Sequence, residues 1–148
     1  MSLQDSVMGA IKSAMKAKDN VALTSLRSIK SAILIAKTSG AGSDMSEQDE
    51  FKLLQKLVKQ RHDSARIFSE QNRPDLAEPE LAEAEVISQF LPKMLDVCEV
   101  EKVVVDTIDF LGASGMKDMG RVMAVVSKTL AGKTDGKTIS TLVKEKLI

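Results

Sequence analysis

The chain has 148 residues, with 21 Lys and Arg balanced by 21 Asp and Glu, 43% hydrophobic residues, no Trp or Tyr, four Phe and one Cys. That length suits one ordinary domain or two small helical ones, and the apolar fraction predicts a real core rather than disorder. No stretch is apolar enough for a membrane span, no signal peptide opens the chain, and Cys98 alone cannot form an internal disulfide, so a cytoplasmic protein without a membrane partner is expected.

Leu, Met, Ala, Glu, Gln and Lys are plentiful, which favours helices over sheets and predicts an all-α fold with an aliphatic core. Seven helices are expected. The first runs from about Leu3 to Ala17, with Val7, Ile11, Ala14 and Met15 at helical spacing. Asp19 opens the second, which carries Leu23, Leu26, Ile29, Ile33 and Ala36 and ends before the Gly/Ser loop TSGAGSD. Ser46 caps a long third helix, with Asp49 in the capping-box position and an apolar stripe through Phe51, Leu54, Leu57, Val58, Ala65 and Phe68. That helix should end before Pro74, because the residue preceding a proline resists the helical region.

The fourth helix is expected from about Pro74 to Leu91, with a kink or restart at Pro79, where an interior proline removes a ladder bond. Pro92 closes it. Asp96 then caps the fifth helix, Glu99 completes the box, Leu95 and Val100 can form the hydrophobic staple, and Gly112 ends it. The last two helices lie beyond Lys117, separated by AGKTDGK. Short loops between amphipathic elements predict an N-terminal antiparallel bundle over residues 1–92, followed by a smaller helical subdomain over 93–148.

Charge is uneven along this neutral chain. From Pro74 to Asp109 ten acids face Lys93 and Lys102, a balance of −8, whereas from Lys117 onward seven basic residues face three acids, a balance of +4. On a helical wheel with Lys117 at zero, Arg121 and Lys128 fall at about 40° and 20°, opposite Met119, Val122, Met123, Val126 and Leu130. In the final helix Lys137 and Lys144 share a face away from Ile139, Leu142 and Val143, and Lys133 extends the basic surface through the connecting loop. Lysines also serve simply to keep a helix soluble. Two helices and a loop, all basic on their outer sides, add anion or nucleic-acid contact as a second reading for Lys117, Arg121, Lys128, Lys133, Lys137 and Lys144. The tail has no aromatic residue, so RNA contact there would follow backbone and shape rather than base stacking.

The chemically suggestive residues elsewhere have plainer readings. His62 borders the apolar stripe of the third helix with no second His, Ser or Cys in motif spacing, which makes it structural rather than catalytic. Arg61, near the centre of that stripe, is expected to pair with an acid of the glutamate-rich fourth helix, its stem lying along the core. Lys52, Lys56, Lys59 and Arg66 form a second basic face that reads as solvated surface. Cys98 sits near a helix start without a partner and reads as an incidental thiol. AGKTDGKT fails the phosphate-loop pattern, since its two glycines stand one residue too close and no strand precedes it. One His and one Cys leave little material for a metal site, so neither metal nor cofactor is expected.

The segments LRSIKSAI, KLVKQRHDSARIF, RPDLAEPELAEAEVISQFLP and GASGMKDMGRVMAVVSKTLAGKTDGKTISTLVKEKL together resemble the GatB/YqeY family, over about Ser2 to Leu147, in the form of a stand-alone YqeY-type protein. KDMGRVM and the DGKTIS element after it also resemble the C-terminal tail of GatB, a component of the glutamine-dependent aminoacyl-tRNA amidotransferase. That enzyme amidates mischarged tRNA, and its tail is associated with holding the tRNA. The resemblance implies an all-helical fold of two subdomains. It also implies that the ATP- and metal-dependent catalytic region of GatB lies outside these residues. Pro79 departs from the family, whose members continue the helix there, and His62 stands where a basic residue is common.

Three functions follow as expectations. The chain is a non-catalytic module that binds tRNA or other RNA, a component of an amidotransferase with carbon–nitrogen ligase activity, or a protein-interaction domain. The implied partners are tRNA or other RNA and amidotransferase or tRNA-synthetase-type proteins. No residues here could perform the ligase chemistry alone.

Overall fold

The computed structural model describes residues 2–39 and 45–148. The Gly/Ser loop expected after the second helix lies largely outside them. Among the described residues the fold is all-α: α1 (Leu3–Ala17), α2 (Asn20–Thr38), α3 (Glu47–Glu70), α4 (Pro74–Ser88), α5 (Val97–Leu111), a single 3-10 turn (Met116–Asp118), α6 (Met119–Thr129) and α7 (Gly136–Leu147). No strand occurs among them.

Short polar side chains start most of these helices by satisfying otherwise orphaned backbone donors. Ser2 with Asp5, Ser46 with Asp49 and Asp96 with Glu99 each close a complete capping box. In the last of these the Glu99 amide donates to Asp96 Oδ1 at 2.8 Å, and the Asp96 amide donates to Glu99 Oε2 at 3.1 Å. Asp19 and Asp135 cap α2 and α7. Gly112 closes α5 in the left-handed region, at φ 59°, where a side chain would be strained.

The fourth helix differs from the expectation. It runs unbroken from Pro74 to Ser88 with Pro79 inside it, so no restart occurs. Pro79 and Asp75 are both exposed. The ring therefore faces solvent, and the Asp75 carbonyl that loses its amide partner can be hydrated instead. The helix also stops short of Leu91: Gln89, Phe90 and Leu91 donate to the carbonyls of Val86, Ile87 and Ser88, three residues back, which tightens the chain before Pro92.

The chain packs as two compact units, Met1–Leu91 and Pro92–Ile148. In the first, α1 packs on α2, and α4 packs on both α2 and α3. Val7, Ala14, Leu26, Ile29, Ile33, Leu54 and Ile87 form its core. Arg61 joins three helices: its Nη2 donates to Ser28 Oγ on α2 at 3.1 Å, and its Nε lies 3.4 Å from Glu83 Oε2 on α4. The pairing expected with the acidic fourth helix is therefore present. The Nε–Glu83 approach is a charge contact rather than an aligned hydrogen bond, since this buried Nε has no hydrogen-bond partner.

In the second unit α5, α6 and α7 pack mutually. Val100, Val104, Val122, Val126, Leu130, Ile139, Leu142, Val143 and Leu147 form an aliphatic core, with Leu95 and the half-buried Met119 and Met123 against it. The Leu95 amide donates to the Lys133 carbonyl at 2.9 Å, which ties the segment before α5 to the α6–α7 loop.

Candidate nucleic-acid interface

The buried side of α6 is Val122 and Val126, continued by Leu130 at its C-cap, and that of α7 is Ile139, Leu142, Val143 and Leu147. Their outer sides carry Arg121 and Lys128 on α6, and Lys137 and Lys144 on α7, each pair two turns apart. All six proposed cations, including Lys117 and Lys133, belong to exposed residues. The structure thus presents them to solvent as the helical wheel suggests.

One placement differs from the wheel, and one cation is already engaged. Lys117 does not share a helix with Arg121, because it lies in the 3-10 turn before α6. Gly115, at φ 73°, and the Asp118 carboxylate, which accepts from the Ser114 amide at 2.9 Å, shape that turn instead. Arg121 is partly engaged: its Nη2 donates to the Leu111 carbonyl at the end of α5 at 3.2 Å and lies 3.5 Å from Asp118 Oδ1. It anchors α6 to α5 while keeping half its side chain exposed. Lys128, Lys133 and Lys144 have no side-chain hydrogen bond or ion pair among the described residues. Lys137 borders a shallow groove with Val97, Thr138, Thr141, Leu142 and Glu145.

The tail's seventh cation, Lys146, has a structural partner. It pairs with Glu101 across α7 and α5, and that hydrogen bond raises its pKa above the ordinary lysine value. The second unit as a whole carries nine basic residues and eight acids, a balance of +1. Any attraction for an anion therefore arises from the local surface of α6, α7 and their loop, not from the net charge of the unit.

Sequence reasoning passed over two exposed features. Phe110, at the end of α5, is 88% exposed, so an aromatic ring does stand at the surface just ahead of the aromatic-free tail. On α2, Arg27 and Lys30 are exposed, and the helix has no acid at all, a signal available from counting charges helix by helix. His62, at the border of the α3 stripe, is exposed, and so is Cys98. No cluster of three His, Cys, Asp or Glu able to hold a metal occurs among the described residues. No helix there is long and apolar enough to cross a membrane.

Comparison with known proteins places these observations in a family. The family model described as Yqey-like protein matches residues 4–147. The protein named "Altered inheritance of mitochondria protein 41, mitochondrial" from Clavispora lusitaniae is 36% identical over 120 residues, covering 81% of this chain and 69% of that protein. Its namesake in Saccharomyces cerevisiae strain YJM789 is 27% identical over 146 residues, 95% of this chain and 78% of that protein. The one in Meyerozyma guilliermondii is 41% identical over 87 residues, 57% of this chain and 43% of that protein.

These names overturn the cytoplasmic location expected above, because the relatives are mitochondrial proteins by name. The physical reason is simple. A single Cys98 cannot close an internal disulfide in any compartment, so its presence never discriminated the cytoplasm from another one.

Proposed function

Because this chain belongs to the YqeY family, we propose that it acts as a non-catalytic accessory module that binds tRNA or another structured RNA through the outer faces of α6, α7 and the loop between them. The observation that carries this reading is the division of the last two helices into a buried aliphatic side and an exposed side bearing Arg121, Lys128, Lys137 and Lys144, with Lys133 between them. Lysine heads on helical surfaces meet phosphate as point charges, without base-specific geometry. The RNA is held by backbone and shape, and the mitochondrial names of the relatives support a mitochondrial setting for it.

Salt dependence tests the reading. Contact with about four phosphates gives a slope of log affinity against log salt of about −3 to −4. Lys128→Glu with Lys144→Glu should weaken tRNA binding and flatten that slope. Both residues are exposed and have no partner among the described residues, so the fold should persist, with only the last-turn dipole contribution of about 0.3–1 kcal/mol lost at each helix. Arg121 is left intact in this test because it anchors α6 to α5. A tRNA affinity that is absent at low salt, or unchanged in the double variant, overturns the proposal.

A second reading rests on the resemblance of KDMGRVM and the DGKTIS element to the amidotransferase tail: the chain is a component of a glutamine-dependent amidotransferase, contributing no chemistry of its own. Co-purification with amidotransferase components, lost on treatment with ribonuclease, would join the two readings. Co-purification that survives ribonuclease would favour the second.

A further inference from the structure

Two helices of the first unit carry charge of one sign each. Over Asn20–Thr38, α2 has Arg27, Lys30 and Lys37 and no acid. Over Pro74–Ser88, α4 has Asp75, Glu78, Glu80, Glu83 and Glu85 and no cation. Part of this charge is used inside the unit. Lys37 donates to Gln4 at 2.7 Å, Glu83 meets Arg61, and Asp75 is clamped by Arg73 at 2.8 Å. Arg27 and Lys30 on α2, and Glu78 and Glu85 on α4, are exposed and have no side-chain hydrogen bond or ion pair among the described residues.

Each of these charged faces also exposes aliphatic surface that a solitary helix would keep from water. Leu34 and Ile35 on α2 are 61% and 62% exposed, and Leu81 on α4 is 46% exposed. On α4 the order Glu78, Leu81, Glu85 follows the i, i+3, i+7 spacing of one stripe, with an acid on either side of the leucine. On α2 a shallow groove of about 530 Å³ is lined by Thr24, Arg27, Ser28, Ser31, Ala32 and Ile35. Its lining combines small side chains with one cation and one aliphatic chain. In charge it is the complement of the α4 stripe, a cation beside apolar surface against acids beside a leucine.

We propose that the occupant of this groove is α4 of a second copy of the chain: Leu81 seats against Ser28, Ser31, Ala32 and Ile35, while Glu78 and Glu85 reach Arg27 and Lys30. Charge complementarity within the one chain selects this partner. The equal count of 21 basic and 21 acidic residues removes the net repulsion that keeps highly charged proteins apart. Every copy carries both faces, so a two-fold pair makes the contact twice. The contact involves only the first unit and is independent of RNA binding by the second.

Sedimentation of the full chain over a range of concentrations tests it by exchange of charge. Wild type should self-associate, and more weakly at about 500 mM salt than at about 50 mM, because exposed ion pairs are screened. The variant Arg27→Glu/Lys30→Glu bears two acidic faces, and Glu78→Lys/Glu85→Lys bears two basic ones. Each alone should associate at least about tenfold more weakly than wild type, since like charges then oppose one another. An equimolar mixture of the two should associate again, because every contact regains an acidic and a basic partner. Circular dichroism establishes that each variant keeps its helicity. If a charge variant fails to fold, Leu81→Ser, at an exposed position, should also weaken association. A monomeric wild type at low salt, association indifferent to Leu81→Ser or to both charge variants, or a mixture that stays monomeric overturns the proposal. So does a monomeric wild type whose groove takes an acidic segment of another protein.

Discussion

The Arg61–Glu83 pair offers the sharpest test of how the first unit is held together. Both side chains are mostly buried, at 17% and 21% exposure, and Arg61 Nε stands 3.4 Å from Glu83 Oε2. At that separation the Coulomb attraction is about 5 kcal/mol for an effective dielectric near 20, before the cost of desolvating both groups is subtracted. Exposed pairs contribute about 0–1 kcal/mol, and removing one partner of a fully buried pair costs about 3–5 kcal/mol. This partly buried pair falls between them. Glu83→Ala should therefore destabilise by about 2 kcal/mol, mostly because it leaves the Arg61 guanidinium with only Ser28 as a partner in a poorly hydrated site. Replacing both groups by apolar ones, Arg61→Met with Glu83→Leu, should return stability to within about 1 kcal/mol of wild type, since no uncompensated charge remains. Urea denaturation followed by circular dichroism at the helical band is the suitable assay, because a chain without Trp or Tyr offers no useful intrinsic fluorescence. A Glu83→Ala shift below about 0.5 kcal/mol, or a double variant as unstable as the two single changes added together, would refute the reasoning.

Further perturbations probe the caps. Asp96→Ala removes the acceptor of the Glu99 amide and one half of a complete box, and should cost about 1 kcal/mol in a denaturation experiment; an unchanged midpoint would mean that α5 starts by other means. Hydrogen bonds from the Ser46 hydroxyl and then the Ser46 amide hold the Asp49 carboxyl below its ordinary pKa, and Ser2 does the same for Asp5. Because these folded-state values are lowered, the stabilisation is fully present above the ordinary carboxylate pKa and is lost as the pH falls through the lowered values. Wild type should weaken as the pH drops below about 4, and Asp49→Asn should start less stable at neutral pH and lose less on acidification, which urea midpoints measured at both pH values will show.

Much of the fold was legible in the sequence because its signals are local. Ser46 with Asp49, Asp96 with Glu99, Pro74 and Gly112 mark helix ends through contacts within four residues, and the aliphatic periodicity of α6 and α7 assigns their buried sides correctly. Arg61 was legible too, since a charge at the centre of an apolar stripe must find an acid, and only the glutamate-rich fourth helix is so well supplied. The exposure of Arg121, Lys128, Lys137 and Lys144 followed from the same periodicity, whereas Lys117 and Lys133 lie outside the two helices. Tertiary structure decided the rest. It carried α4 through Pro79 without a break, with the ring exposed to solvent, moved Lys117 off α6, engaged Arg121 with the Leu111 carbonyl and Lys146 with Glu101, and left the basic face of α2 uncovered. Periodicity gives the direction of a side chain about its own helix axis. Which atoms it meets depends on the packing of helices distant in sequence, and that packing is chosen by aliphatic burial over the whole unit rather than by any one charge.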